Sequence, residues 1–195
     1  MVEGLTPPAS NPDLDPVESG TYELGLDARE TWGRWSLHAY ETRIDDLIVL
    51  NSVFTPQNIS ESRIRGVEAE AGATLAGWLV NANATWLDAE IEDGPNEGNE
   101  LPRRPDYSAQ LDIDREFGRF SAGAGLTVAG DTYDKPANDD ELDGYELVEL
   151  RGGLKLAPDW RLQARISNLF NEDYETAAFY EQPGRVYFVT LRYQP

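Results

Sequence analysis

Cysteine is absent from the 195 residues, which excludes a disulfide framework and any thiolate metal site. His38 is the only histidine, too few for the nitrogen ligands of a zinc centre. Bases are scarce as well: 16 against 36 acids, for a formal net charge of -20. Phosphate recognition needs clustered Lys and Arg, so nucleic acid is excluded as a partner. The acidity reads as solvated surface, with acidic loops holding divalent cations as the sharper alternative. No stretch reaches 18 consecutive apolar residues, which excludes a spanning helix but not a spanning strand. The stretch 1–20 is rich in Pro and Asp and lacks the basic start and apolar centre of a signal peptide. For an exported protein this predicts that the true beginning lies upstream. No nucleophile has a base set around it, and paired carboxylates arise by chance in so acidic a chain, so no enzyme is expected.

What is abundant is alternation with a period of two. Trp78, Val80, Ala82, Ala84 and Trp86 fall on one face and Asn81, Asn83 and Thr85 on the other. Tyr107, Ala109, Leu111 and Ile113 alternate with Ser108, Gln110 and Asp112. Trp160, Leu162, Ala164 and Ile166 alternate with Arg161, Gln163 and Arg165. Nine such segments are predicted, at 19–29, 33–44, 60–75, 78–89, 106–115, 118–131, 145–156, 160–170 and 185–193. Most reach about ten residues, the length a tilted membrane-spanning strand needs, against about 5–6 for globular strands.

The connections alternate in length. Short turns fall at Glu30–Trp32, Ala76–Gly77, Glu116–Phe117 and Ala157–Asp159, and long loops at 45–59, 90–105, 132–144 and 171–184. An antiparallel up-and-down meander gathers all short turns at one end, the layout of outer-membrane barrels. Trp35, Trp78, Phe120 and Trp160 each follow a short turn, with Tyr193 at the same end, as an interfacial aromatic girdle requires; Trp86 and Tyr133 lie toward the other rim. Bacterial barrels have even strand numbers, so nine strands predict a C-terminal piece with earlier strands upstream. The competing class is a soluble β-sandwich, such as a carbohydrate-binding module with exposed Trp and Tyr, whose strands alternate in the same way.

Five ordered motifs carry a resemblance. NPDLDPVESGTYELG from Asn11, IDDLI from Ile44, SRIRGVEAE from Ser62, LPRRPDYS from Leu101 and ISNLFNEDYET from Ile166 resemble segments of TonB-dependent outer-membrane receptors. Val17 departs from the usual Glu of the first motif. TYDK at Thr132 and NEDYETAAFYEQPGR from Asn171 resemble the vitamin B12 (cobalamin) branch, with ferric-siderophore receptors sharing much of that ending. The resemblance implies a 22-stranded barrel around an N-terminal plug, with TonB engaged by a box in the part not present here. The expected organisation is a Pro/Asp-rich outer loop segment at 1–18 and the last nine barrel strands at 19–195. Expected partners are outer-membrane lipid, TonB and a small-molecule ligand, cobalamin or a ferric siderophore. No cofactor is expected, and Ca²⁺ only in loops outside this segment.

The resemblance places Arg103 at a ligand-contacting position, with Arg104 beside it; a guanidinium there presents a fork of donors to amides or phosphate. The alternative is an arginine paired with lumen carboxylates such as Glu68 or Glu70. Ala137 stands where the resemblance places a ligand-contacting tyrosine. Asp131, Asp134, Asp139, Asp140 and Asp143 crowd one loop without EF-hand spacing and are read as solvated. Asn168, Leu169 and Phe170 are read as closing the eighth strand, and His38 as facing the lumen. The family ends on an aromatic that assists assembly; here the segment with Tyr187, Val189, Leu191 and Tyr193 takes that part, although Gln194 and Pro195 follow.

Overall fold

The computed structural model describes residues 11–50 and 55–195, with the side chains of Leu50 and Ser60 left aside. Residues 1–10 of the expected outer segment, and 51–54 of the first expected long loop, lie outside the described residues. The strands are β1 (Glu18–Arg29), β2 (Gly33–Leu50), β3 (Pro56–Leu75), β4 (Trp78–Ile91), β5 (Tyr107–Phe117), β6 (Phe120–Ala129), β7 (Thr132–Tyr133), β8 (Glu141–Leu142), β9 (Tyr145–Ala157), β10 (Trp160–Ser167) and β11 (Val186–Tyr193). Nine of them form one antiparallel sheet in the order β1-β2-β3-β4-β5-β6-β9-β10-β11, while β7 and β8 make a small hairpin of their own. The fold is therefore all-β, a meander of neighbours. A two-sheet sandwich is not what forms. Among the described residues only eight hydrophobic side chains are buried, far too few for an inter-sheet core.

The turns at one end are tight for local reasons. Ala76 and Gly77 both take positive φ, 51° and 83°, the primed hairpin geometry that matches strand twist. The expected turn at Glu116–Phe117 forms two residues later. Phe117 stays in the ladder opposite Phe120 and stacks edge-on against Trp78 at 5.8 Å, and Gly118 supplies the left-handed φ of 64°. Between β9 and β10 the register slips at Trp160/Arg161, a bulge beside the turn.

Register fixes the two faces. Across β2 to β5, Leu37 pairs with Ala69, Ala69 with Ala84 and Ala84 with Ala109, while His38 pairs with Glu68, Glu70 with Asn83 and Asn83 with Gln110. The apolar row continues through Val128, Leu126 and Ala124 on β6, Val148 and Leu150 on β9, and Ala164 opposite Val189 on β10 and β11. The polar face is the concave one. Two grooves are lined on that face by Arg34, Ser36, Glu70, Asn81 and Asn83, and by Asp114, Arg151, Arg161, Gln163 and Thr190. Inward charges pair: Arg151 reaches Asp112 at 2.8 Å, Asp114 at 2.9 Å and Glu149 at 3.1 Å. His38 lies on this face, its Nδ1 2.6 Å from Glu23.

Two rows of aromatics bound the apolar face. At the short-turn end stand Trp35, Trp78, Phe117, Phe120, Trp160 and Tyr193, with Trp160 and Tyr193 stacked at 4.8 Å. Arg115 closes over Phe117 at 4.8 Å, a cation at the edge of the band. At the other end Tyr22, Trp86, Tyr107 and Tyr187 fall on the same face. Trp78 to Trp86 is eight steps of about 3.3 Å, which at a tilt near 40° is roughly 20 Å of height, against a barrel's apolar band of about 25 Å.

Beyond the second row the alternation changes sign. Asp88 and Glu90 occupy outward positions of β4, while Leu87, Ala89 and Ile91 point inward. Outward on β2 and β3, Glu41 receives Arg65 at 2.8 Å and Arg43 at 3.1 Å, and Arg63 pairs with Glu90 and Glu92. Inward, Ile59, Ala89, Ile91 and Leu101 form a buried cluster with Leu47, Val49, Ile64 and Leu87 against it. This is why most of the expected loop 45–59 is strand: β2 and β3 extend through it, held by that cluster. Charged residues facing outward are tolerable only where the hydrocarbon has ended.

Ala82 faces outward at mid-band and Asn83 inward. In a bilayer-inserted barrel containing this sheet, Ala82→Arg is expected to cost about 2–4 kcal/mol in a vesicle folding titration, and Asn83→Arg about 1 kcal/mol or less.

Candidate functional site: the outer loops

The long connections meet at the end opposite the tight turns. The segment 92–106 folds back over β4, with Leu101 N–H donating to Ala89 O at 2.8 Å and Ile91 N–H to Asn99 O at 2.9 Å. Leu101, fully buried, plugs the cluster described above, while Arg103 two residues on is exposed and Arg104 half-buried. The next connection, 130–144, is shaped by β7 and β8 and by Asp131, whose Oδ1 accepts the Gly144 N–H at 2.7 Å. The last, 168–185, is organised by buried Asn168, which accepts Glu172 N–H at 2.8 Å and donates to Glu172 O at 2.7 Å. Asn168 thus closes β10 as its place in the sequence suggested.

On the side of β1, Asn58 performs a similar task. Its amide donates to Asp15 O at 3.1 Å and Asp46 O at 2.6 Å, and its oxygen accepts Asp15 N–H at 3.0 Å, stitching the Asn11 motif to the start of β3.

Arg103 Nε donates to Asp134 Oδ1 at 2.7 Å, and the Arg103 N–H donates to Tyr133 O, also at 2.7 Å. The partner is neither Glu68 nor Glu70, which belong to the concave wall of β3. The pairing expected as the alternative to ligand contact therefore exists, with a loop aspartate as the acid. The Asp134 side chain is 5% exposed, and the same oxygen accepts the Ala178 N–H at 3.1 Å. Burial alone would raise the Asp134 carboxyl; the Arg103 and Ala178 hydrogen bonds and the charges of Arg103 and Lys135 outweigh it and hold it below the usual carboxylate range. Lys135 binds Asp140 at 2.9 Å, which raises the ammonium. Two of the five crowded aspartates are thus paired with cations. Among the described residues no group of three His, Asp or Glu has the arrangement to hold a metal ion.

Arg104 differs. Its one hydrogen bond runs to Pro102 O at 3.4 Å, no carboxylate pairs with it among the described residues, and burial lowers its guanidinium. Glu100 is raised by burial and by the charges of Asp106, Glu141 and Asp88. Asp134 is the residue that sequence reasoning undervalued: it was one acid of five, and nothing in its spacing tells a buried carboxylate from a solvated one.

Comparison with known proteins fits this geometry. The family described as "TonB dependent receptor-like, beta-barrel" matches residues 2–169. The chain belongs to the TonB-dependent receptor β-barrel family. Members are outer-membrane transporters and receptors. The vitamin B12 transporter BtuB of Photobacterium profundum is 29% identical over 196 residues, 96% of this chain and 32% of that protein. BtuB of Vibrio vulnificus (strain CMCP6) is 28% identical over 95% of the chain and 31% of its own length. The chain spans about a third of these relatives. Among solved structures, the siderophore receptor PiuA of Acinetobacter baumannii superposes with a TM-score of 0.79 at 22% identity over 92% of this chain and 29% of its own. The ferric citrate transporter FecA gives 0.79 at 17% identity, covering 90% and 31%. These likenesses establish the TonB-dependent receptor fold of the sheet.

The TonB-dependent receptor's rim β11 carries Tyr187, Val189, Leu191 and Tyr193 in one outward row, opposite Ile166, Ala164, Leu162 and Trp160, and its other edge is free among the described residues.

A carboxylate held below its ordinary value stabilises the fold above the unfolded value, about 3.9, and loses that contribution as pH falls through the depressed one. Hydrogen-exchange protection of the Ala178 amide, corrected for intrinsic rates, is therefore expected to stay constant from pH 7 to pH 5. It is expected to drop only in more acid solution. A loss already at pH 5–6 would contradict the assigned pairing.

Proposed function

We propose that the longer protein imports a scarce nutrient across the outer membrane in a TonB-dependent manner, and that this chain supplies barrel wall and outer loops. The observation carrying this reading is the wall itself: a predominantly apolar outward face between two aromatic rows, backed by a concave face of paired charges and amides. On this reading residues 1–18 are an outer loop segment and 19–195 are the last nine strands of a 22-stranded barrel in contact with outer-membrane lipid. TonB is engaged by a part of the protein outside this chain. Tyr187, Val189, Leu191 and Tyr193 form the assembly segment, their outward row being what a partner in barrel insertion meets.

Cobalamin is the favoured cargo, because relatives named as vitamin B12 transporters align with nearly the whole chain. Arg103 and Arg104 are the favoured contacts. Arg104 has no carboxylate partner among the described residues, and Arg103, its side chain 43% exposed, keeps donors free beyond its bond to Asp134. A ferric siderophore is the second reading, favoured by Ala137 in place of the tyrosine expected of a cobalamin site.

The test is uptake by the full-length protein in cells lacking their own cobalamin transporter. Labelled cyanocobalamin is expected to accumulate only when TonB is present, and Arg104→Ala is expected to weaken binding about tenfold, the loss of roughly one charged hydrogen bond. Accumulation of a ferric siderophore alone would transfer the function to the second reading. Accumulation of neither would remove the transport proposal.

A further inference from the structure

The three outer loops are not joined evenly. The segments 92–106 and 130–144 share several bonds, including Asn99 Nδ2 to Pro136 O at 3.0 Å and Arg103 N–H to Tyr133 O at 2.7 Å. The segment 168–185 reaches that pair by one hydrogen bond among the described residues, the 3.1 Å bond from Ala178 N–H to Asp134 Oδ1. That oxygen also accepts Arg103 Nε, so a single buried atom serves two loops at once.

Backbone strain flanks both donors. Arg103 has φ 57° and Phe179, next to Ala178, has φ 68°. Neither is a residue type that visits this region readily, and a bulky one there is an outlier. Phe179 is 84% exposed, so packing of its ring does not explain its conformation. The turn is closed within its own loop by Tyr180 N–H to Ala177 O at 3.0 Å and Phe179 N–H to Glu175 Oε2 at 3.3 Å, and the Ala178 bond to Asp134 ties that turn to the neighbouring loops. Strain of this kind persists only where surrounding contacts over-determine it.

We propose that Asp134 is a positioning residue that latches the last outer loop to the other two, and that Arg103 controls the latch through it. The carboxylate is buried because Arg103 neutralises it. Without Arg103 it gains more from water than from Ala178, turns outward and drops the 168–185 loop. Arg103 and Ala178 lie in different loops and are coupled through one shared acceptor. The consequence for ligand capture rests on the transport function proposed above; the latch itself does not.

The experiment is hydrogen exchange read by mass spectrometry on the full-length protein in nanodiscs, without ligand. Exchange of peptides covering 176–180 is expected to rise about tenfold or more in Asp134→Ala, and by a similar factor in Arg103→Ala, although no hydrogen bond joins Arg103 directly to that loop among the described residues. Asp134→Asn keeps an acceptor and loses the charge, and falls between wild type and Asp134→Ala. The double variant exchanges no faster than Asp134→Ala, since the two residues act through one interaction. Phe179→Gly removes the strain, so it keeps or slows exchange there. Protection of Ile91 and Leu101 in the buried cluster reports that each variant is folded. Wild-type exchange at 176–180 in Arg103→Ala, or additive effects in the double variant, overturns the latch. Because the readout needs no cargo, these outcomes stand apart from failure of the uptake assay.

Discussion

Hydrocarbon offers no partner to a backbone N–H or C=O, and everything in this chain follows from that constraint. A strand crossing it must satisfy its whole backbone on its neighbours. Here the ladder runs from β1 to β11, and among the described residues its register slips once, beside a turn rather than in the middle of the band. The two sheet edges are where this part of the wall stops, and they are the only long rows of backbone groups left unpaired among the described strands. The same constraint sets side-chain chemistry. Outward positions between the aromatic rows are nearly all apolar, with Glu146 opposite Val128 standing apart, whereas inward ones carry Arg151 with three carboxylates within 3.1 Å.

Legibility in the sequence tracked how local the cause was. Period two, strand length and the short-long rhythm of connections are written in consecutive residues, so the meander and its faces were readable, as in Trp78 to Trp86. The ends of β2 and β3 beyond residues 44 and 60 were not. Leading up to them the alternation inverts, with Arg65 and Glu41 outward and Ile64 and Ile44 inward, so a search for one constant apolar face stops there and reads 45–59 as loop. Only Leu101, arriving from about forty residues away, makes sense of the inversion by covering Ile59 and Ile91. The turn at Gly118 was missed for a similar reason, since Phe117 is held in its strand by Trp78 of another hairpin.

The loop chemistry was less visible still. The identity of Arg103 and Arg104 stands out in an acidic chain, but their difference does not. One is neutralised by a buried aspartate and the other lacks a carboxylate partner among the described residues. Asp134 gains its role from three connections converging on one oxygen, and no spacing within its own segment announces that. Family membership fixes the wall and leaves the cargo open; Ala137 stands in an outer loop where the sequence resemblance leads one to expect a tyrosine.

The central claim is that the two faces of the sheet meet different media. The chain contains no cysteine, so single cysteines can be introduced along β5 of the full-length protein, from Ser108 to Ile113, and spin-labelled in lipid bilayers. Labels at positions 109, 111 and 113 are predicted to be relaxed by oxygen and shielded from a water-soluble nickel chelate, with 108, 110 and 112 showing the reverse. Equal accessibility along the strand, or oxygen preference on the Gln110 face, would contradict the account.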